Sequence, residues 1–245
     1  MNGPTRILFT AGCLLIPGSV LAQRAQTPPP PAFTGTAEFS LVATTGNSST
    51  QSIGLGGELT YRPEPLVIDA KLAFVRNEAN DVVSAKSFSG LVRVSRDLRP
   101  RLSAFGQYDY LRNLFAGIDQ RHAVALGVSY LVATTAPHSL KVDAGLGYAN
   151  EQRLVDPDLS SGVALAGARY RLAVSETSEL AEDVRLVASL SDAPDWRVDQ
   201  TISLTAKLTT VLSLKASHAV HRVNAPAPGF GQTDTISSIA LVAKL

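Results

Sequence analysis

The sequence predicts an all-β fold, a transmembrane antiparallel up-and-down β-barrel of about twelve strands. Three observations predict it. Apolar and polar residues alternate with period two from Gly35 onward, the alternating segments exceed the length of ordinary soluble strands, and short turns alternate with longer connections.

The elements follow in chain order. "MNGPTR" carries a positive charge at Arg6, "ILFTAGCLLIPGSV" is an apolar run, and "VLA" puts small or medium residues before Gln23. This is the pattern of a secretory leader over residues 1–22, cleaved after Ala22. Cys13 falls inside it, so the exported chain is expected to carry no cysteine, and with it no disulfide or thiolate metal site. "QRAQTPPPPAF" then reads as a stiff polyproline spacer, and residues 23–35 are expected to form a periplasmic linker. Residues 36–245 are expected to form the barrel.

Within that span, Ile53, Leu55, Leu59 and Tyr61 share one face against Ser52, Glu58 and Thr60 on the other. Ile68, Ala70, Leu72 and Phe74 similarly oppose Asp69, Lys71 and Ala73. A helix would scatter these residues around its circumference, whereas a strand separates them. The expected strands are 36–45, 51–62, 66–76, 84–96, 101–112, 120–133, 139–150, 162–173, 180–191, 196–208, 211–223 and 233–245. Each spans about 10–14 residues, enough for a tilted strand to cross a bilayer. "RPEP", "DLRP", "TTAPH", "SETSE" and "LTT" are expected periplasmic turns. "NEANDVV", "RNLFAGID", "NEQRLVDPDLSS", "SDAPD" and "NAPAPGFGQ" are expected longer extracellular loops. Tyr61, Tyr108, Tyr110, Tyr130, Tyr148, Tyr170 and Trp196 near strand ends suit an interfacial girdle.

The last segment, "TDTISSIALVAKL", alternates up to Leu245. In a closed barrel it must pair with the first strand, because lipid leaves no unpaired backbone group a partner. A soluble β-sandwich would alternate too, but its apolar face would need bulky residues that interlock in a packed interior. Here that face is rich in Leu, Val and Ala, and the opposite face mixes charges with Gly, Ala and Ser.

Several motifs resemble a known family. "TTGNSSTQSIGLGGELTYR" (44–62), "YDYLRNLFAGIDQRHAVALGVSY" (108–130), "AGLGYANE" (144–151) and "PGFGQTDT" (228–235) are similar to hairpins of the YdiY-like salt-induced outer-membrane proteins. The resemblance covers roughly residues 36–245. It implies a cleaved signal, an outer-membrane barrel, no established biochemical activity and no catalytic motif to transfer. It also suggests a link to salt or osmotic stress. Such barrels usually end on an aromatic residue, and Leu245 takes that place here.

Composition excludes some functions. A net charge of +1 leaves no basic footprint for nucleic acid. "TTGNSST" lacks the spaced Gly-Lys-Ser/Thr of a phosphate loop, so a hairpin turn accounts for it. His218 and His221 lie three apart on a strand and face opposite sides, which leaves no common metal site. A lipid-face hydrolase would need a serine within hydrogen-bond reach of His122 or His218. Their same-face neighbours, beside the expected extracellular rim, are Val124 and Val220, and Ser217 points the other way. No catalytic residue, cofactor or metal is therefore expected.

The polar face carries the functional candidates: Glu58, Asp69, Lys71, Arg93, Asp109, Arg121, Lys141, Asp143, Arg169, Arg171, Asp183, Arg185, Asp199, Lys207 and Lys215. All are expected to point into the lumen. In an open lumen they set the selectivity of a small pore; paired across strands they hold a structural barrel together. Arg169, Arg171 and Arg185 are either an anion-preferring constriction or the partners of Asp183 and Asp199. The expected partners are outer-membrane lipid, the barrel-assembly machinery and periplasmic chaperones, with small solutes or ions as cargo if the lumen is open. The expected location is the bacterial outer membrane.

Overall fold

The computed structural model describes residues 31–44, 50–79, 82–155 and 157–245. The expected leader 1–22 with Cys13, the spacer up to Pro30 and residues 45–49 of "TTGNSST" lie outside the described residues.

Twelve strands follow one another: β1 (Phe33–Thr44), β2 (Thr50–Tyr61), β3 (Leu66–Ala79), β4 (Val82–Arg99), β5 (Leu102–Asn113), β6 (Ile118–Ala133), β7 (His138–Arg153), β8 (Leu159–Ala173), β9 (Ser178–Ser189), β10 (Trp196–Lys207), β11 (Leu212–Val223) and β12 (Thr233–Lys244). Each pairs antiparallel with its neighbours in sequence, and β12 pairs with β1 to close the barrel. The seam runs from Thr36↔Lys244 to Phe39↔Leu241, and the Leu245 N–H adds a 2.9 Å bond to the Gly35 carbonyl. Closure leaves the ladder without an edge that another strand could extend.

The pleat sorts side chains into two environments. Leu55, Leu72, Leu126, Leu146, Ile202, Leu214 and Ile239 stand on the outside, with Leu126 74 % exposed. These residues ring the barrel with apolar surface that no other described residue covers, the reverse of a water-soluble domain. Tyr61, Tyr130 and Tyr170 lie toward the end where β1 starts and β12 finishes, and Trp196 at the opposite end; Tyr110 and Tyr148 lie toward that opposite end as well.

The inside is divided. Phe105, Ala123, Ala125, Ala149, Val163, Leu165 and Val187 form a buried apolar cluster on strands β5 to β9. The Phe105 ring lies against Gly127, where a Cβ would come within 2.6 Å of it, so only glycine admits the ring. On β11, β12, β1 and β2 the inward positions include the small residues Ser217, Ser238, Ser40, Gly54 and Gly56, all only partly buried.

The connections differ from expectation at the end away from the start of β1. "NEANDVV" and "NEQRLVDPDLSS" are largely strand, since β3 runs to Ala79, β4 starts at Val82, and β7 continues to Arg153. Polar residues signal where the apolar belt stops, but a hydrogen-bonded ladder can continue in water beyond it. "RNLFAGID" reduces to one 3-10 turn, Leu114–Ala116. The long loop is 224–232 between β11 and β12. It folds onto that 3-10 turn: Ala227 is 4 % exposed, and the Phe230 ring lies so close to Gly117 that a Cβ there would sit 2.7 Å away. Gly117 has φ +75°, a conformation that favours glycine independently of the crowding.

Candidate functional site

The lumen holds the candidates. From β8 to β11 a hydrogen-bonded chain of eight side chains crosses it: Arg169, Asp143, Arg93, Gln107, Asp109, Arg185, Asp199 and His221. Arg93 on β4 is its anchor. Its guanidinium donates to both carboxylate oxygens of Asp143 at 3.1 Å, to Ser129 at 2.6 Å and to Gln107 at 3.2 Å. Its carbon end lies 3.6 Å from the Phe105 ring centroid, a cation–π contact that occupies the remaining face. The Arg93 and Asp143 side chains are 7 % and 9 % exposed, and Ser129 is fully buried. Removal of one member of such a pair leaves an uncompensated charge, which is why the satisfied geometry matters.

Arg185 forms the second node. It spans from β9 to Asp109 on β5 and to Asp199 on β10 at 3.1 Å, and His221 Nδ1 lies 2.9 Å from Asp199. Arg169 meets Asp143 at 2.9 Å and Arg171 meets Asp183 at 2.9 Å. The three arginines therefore do not form one bare basic patch, because each is paired with a carboxylate, Arg169 sharing Asp143 with Arg93.

Nearer the loop end, Glu151 gathers Arg121 at 3.4 Å, Arg153 at 2.8 Å and Arg197 at 2.9 Å, with Asp195 3.7 Å from Arg197. Of these, Arg121, Glu151, Asp195 and Arg197 line a small pocket together with Ser161, Val163 and Ser189. On the other wall Glu58 pairs with Lys71 at 2.8 Å and Glu38 with Lys215 at 2.6 Å. Asp69 accepts from Thr60 at 2.7 Å, and Lys141 is within electrostatic reach of Asp143 and Asp69. Lys207 stands apart, donating at 3.3 Å to the Glu176 carbonyl at the turn end.

Sequence reasoning missed Glu38, Gln107, Ser129, Glu151, Arg153, Arg197 and His221. Alternation could have found Gln107, Ser129, Arg197 and His221, which share parity with named candidates on their own strands, whereas β1 carried no named candidate to set the face of Glu38. Glu151 and Arg153 were hidden because that stretch was expected to be loop.

Two expectations about histidines need correction. His218 sits at mid-strand in β11, away from the rim. It also has a serine within reach: its Nδ1 lies 2.8 Å from Ser237 Oγ on β12. In-strand spacing cannot reveal a cross-strand neighbour, and His218↔Ser237 is a register pair. His122 pairs with Tyr108 at 2.7 Å and has no serine partner among the described residues. His218 and His221 do face opposite sides of the wall.

The fold resembles that of known barrels. The fold is similar to an outer membrane channel from Pseudomonas putida F1, at TM-score 0.52 and 11 % identity, covering 95 % of this chain and 100 % of that one. The NanC porin gives TM-score 0.47 and 10 % identity over 87 % of this chain and 98 % of that one. The translocator domain of the autotransporter NalP from Neisseria meningitidis gives 0.46 and 14 % over 86 % of each chain. Such identities speak to the fold alone. No curated protein matches the sequence. The model of a family described as a protein of unknown function, DUF481, matches residues 37–245, and the chain therefore belongs to the DUF481 family.

Proposed function

We propose that the chain is a non-enzymatic outer-membrane barrel serving as a narrow diffusion pore for small ions or solutes. The observation that carries this reading is the uneven filling of the lumen. Arg93, Phe105, Leu165 and Val187 pack one side, whereas Glu58, Lys71, Asp183 and His221 keep 39–50 % of their side-chain surface exposed inside a closed barrel. Exposure there is exposure to lumen water. With the small residues of β11, β12, β1 and β2 it supports a crescent-shaped path lined by charges of both signs. The uncovered apolar belt supports outer-membrane lipid as the surrounding medium. Assembly machinery and periplasmic chaperones then follow as partners, and a role in salt or osmotic stress rests on the family resemblance of residues 44–62, 108–130, 144–151 and 228–235.

Planar-bilayer recording of the refolded barrel tests the pore. Small discrete conductance steps are expected, and the Glu38→Gln/Glu58→Gln double variant should shift the reversal potential toward anions. A heat-modifiable, folded barrel with no steps would overturn it.

A second reading is a closed structural barrel, favoured by the packing of loop 224–232 on Gly117. In that case conductance appears only when the loop is displaced. The Ser237–His218 pair does not make a hydrolase by itself: nothing in the described residues orients Nε2 of His218, the role a third group plays in nucleophilic catalysis. Phospholipid turnover by the barrel that is lost in His218→Ala would reverse this.

A further inference from the structure

The outward face of β9 to β12 departs from the rest of the belt. Around most of the barrel the mid-height outward residues are apolar, as at Leu72, Val92, Leu126 and Leu146. On these four strands Glu182, Gln200, His218 and Ser237 interrupt that pattern beside Ile202 and Ile239. Register places Glu182 opposite Ile202, Ile202 opposite His218, and His218 opposite Ser237, so three of the four polar side chains lie in one row. Gln200 joins the row diagonally by donating to Glu182 at 2.7 Å.

The internal pairings leave polar capacity unused. Glu182 has a second carboxylate oxygen, Gln200 a carbonyl and His218 its Nε2, and none finds a partner among the described residues. In a bilayer each such group carries a desolvation cost, and a carboxylate at mid-height carries more. Lipid tails cannot relieve that cost. Beside the row lies a shallow hollow lined by Leu180, Ile202, Leu204, Ala216 and His218, where Ala216 keeps the surface low.

We infer that this face is the contact surface for a second copy of the chain within the membrane. The patch is complementary to itself. The acid Glu182 and the base His218 lie on strands two apart, roughly 10 Å, with Ile202 between them. A two-fold axis near Ile202 directs His218 Nε2 of each copy toward the free Glu182 oxygen of the other, while the hollows receive the facing aliphatic side chains. A self-complementary patch of this kind is what an isologous interface requires. The inference rests on the membrane setting proposed above, and the experiment separates the two.

Ile202→Cys and, on the far wall, Val128→Cys are introduced into the full chain and oxidised in native outer membranes. A disulfide-linked dimer of the chain is expected at position 202, at least tenfold stronger than at 128. Adding Glu182→Gln and His218→Ala to Ile202→Cys should lower that yield about tenfold, with heat-modifiable migration retained as proof of folding. Equal yields at 202 and 128, a product with a different protein, or a dimer indifferent to the Glu182 and His218 changes would each overturn the inference. A barrel that fractionates away from the outer membrane would instead overturn the membrane setting.

Discussion

Arg185 of β9 donates to Asp109 of β5, although four strand-to-strand steps separate them around the wall. This bond crosses the lumen instead of following the sheet. Because Arg185 also holds Asp199, one guanidinium ties three strands together at mid-height.

Replacing Asp109 by Ala should therefore change two measurements in opposite directions. Stability should fall by about 1–3 kcal/mol, since a partly buried charged hydrogen bond is lost while Asp199 still holds Arg185. Single-channel conductance should rise, because the bridge no longer divides the lumen. Denaturant unfolding in lipid vesicles and bilayer recording of the same preparation check both.

Arg93 lies in the more tightly packed half, and its loss should cost more. Arg93→Ala removes the anchor of Asp143, Ser129 and Gln107 at once. A loss of about 3–5 kcal/mol is expected from removing its several charge-assisted hydrogen bonds together, although Arg169 and Ser129 still hold Asp143. In the double variant Arg93→Ala/Asp143→Ala the loss should be clearly smaller than the sum of the singles, as measured by a double-mutant cycle.

Gly117→Ala probes the loop over the mouth. The added methyl group meets the Phe230 ring and takes up a left-handed φ, at about 1–2 kcal/mol for the backbone alone. Loop 224–232 should lift, giving faster protease cleavage within it and larger conductance steps. Phe230→Ala should give the same loop release without backbone strain. Unchanged cleavage in both variants would contradict a closed loop.

Leu245→Phe addresses the seam. Leu245 lies at the end of the β12 pairing, with its side chain against Gly35. An aromatic residue there should give equal or better assembly, read as the heat-modifiable fraction in outer membranes. A clear drop would contradict the expectation that an aromatic residue at this position strengthens the β12–β1 seam.

The sequence by itself determined the secondary structure and the sorting of side chains. Strict alternation in segments such as 66–76 and 139–150 leaves one arrangement that separates Asp69 and Lys71 from Leu72 and Phe74, because strand period is two. The same parity assigned inward positions to Asp109, Arg185 and Asp199. Alternation is blind to two things. It does not mark strand ends once the ladder leaves the apolar belt, so Glu151 and Arg153 were hidden in an expected loop. It also contains no distance across the lumen or between strands. The tertiary structure alone decided that Arg185 meets Asp109, that His218 meets Ser237, and that Phe230 reaches Gly117. These pairs are set by the closure and stagger of twelve strands, a global property to which every hairpin contributes and which no single segment encodes.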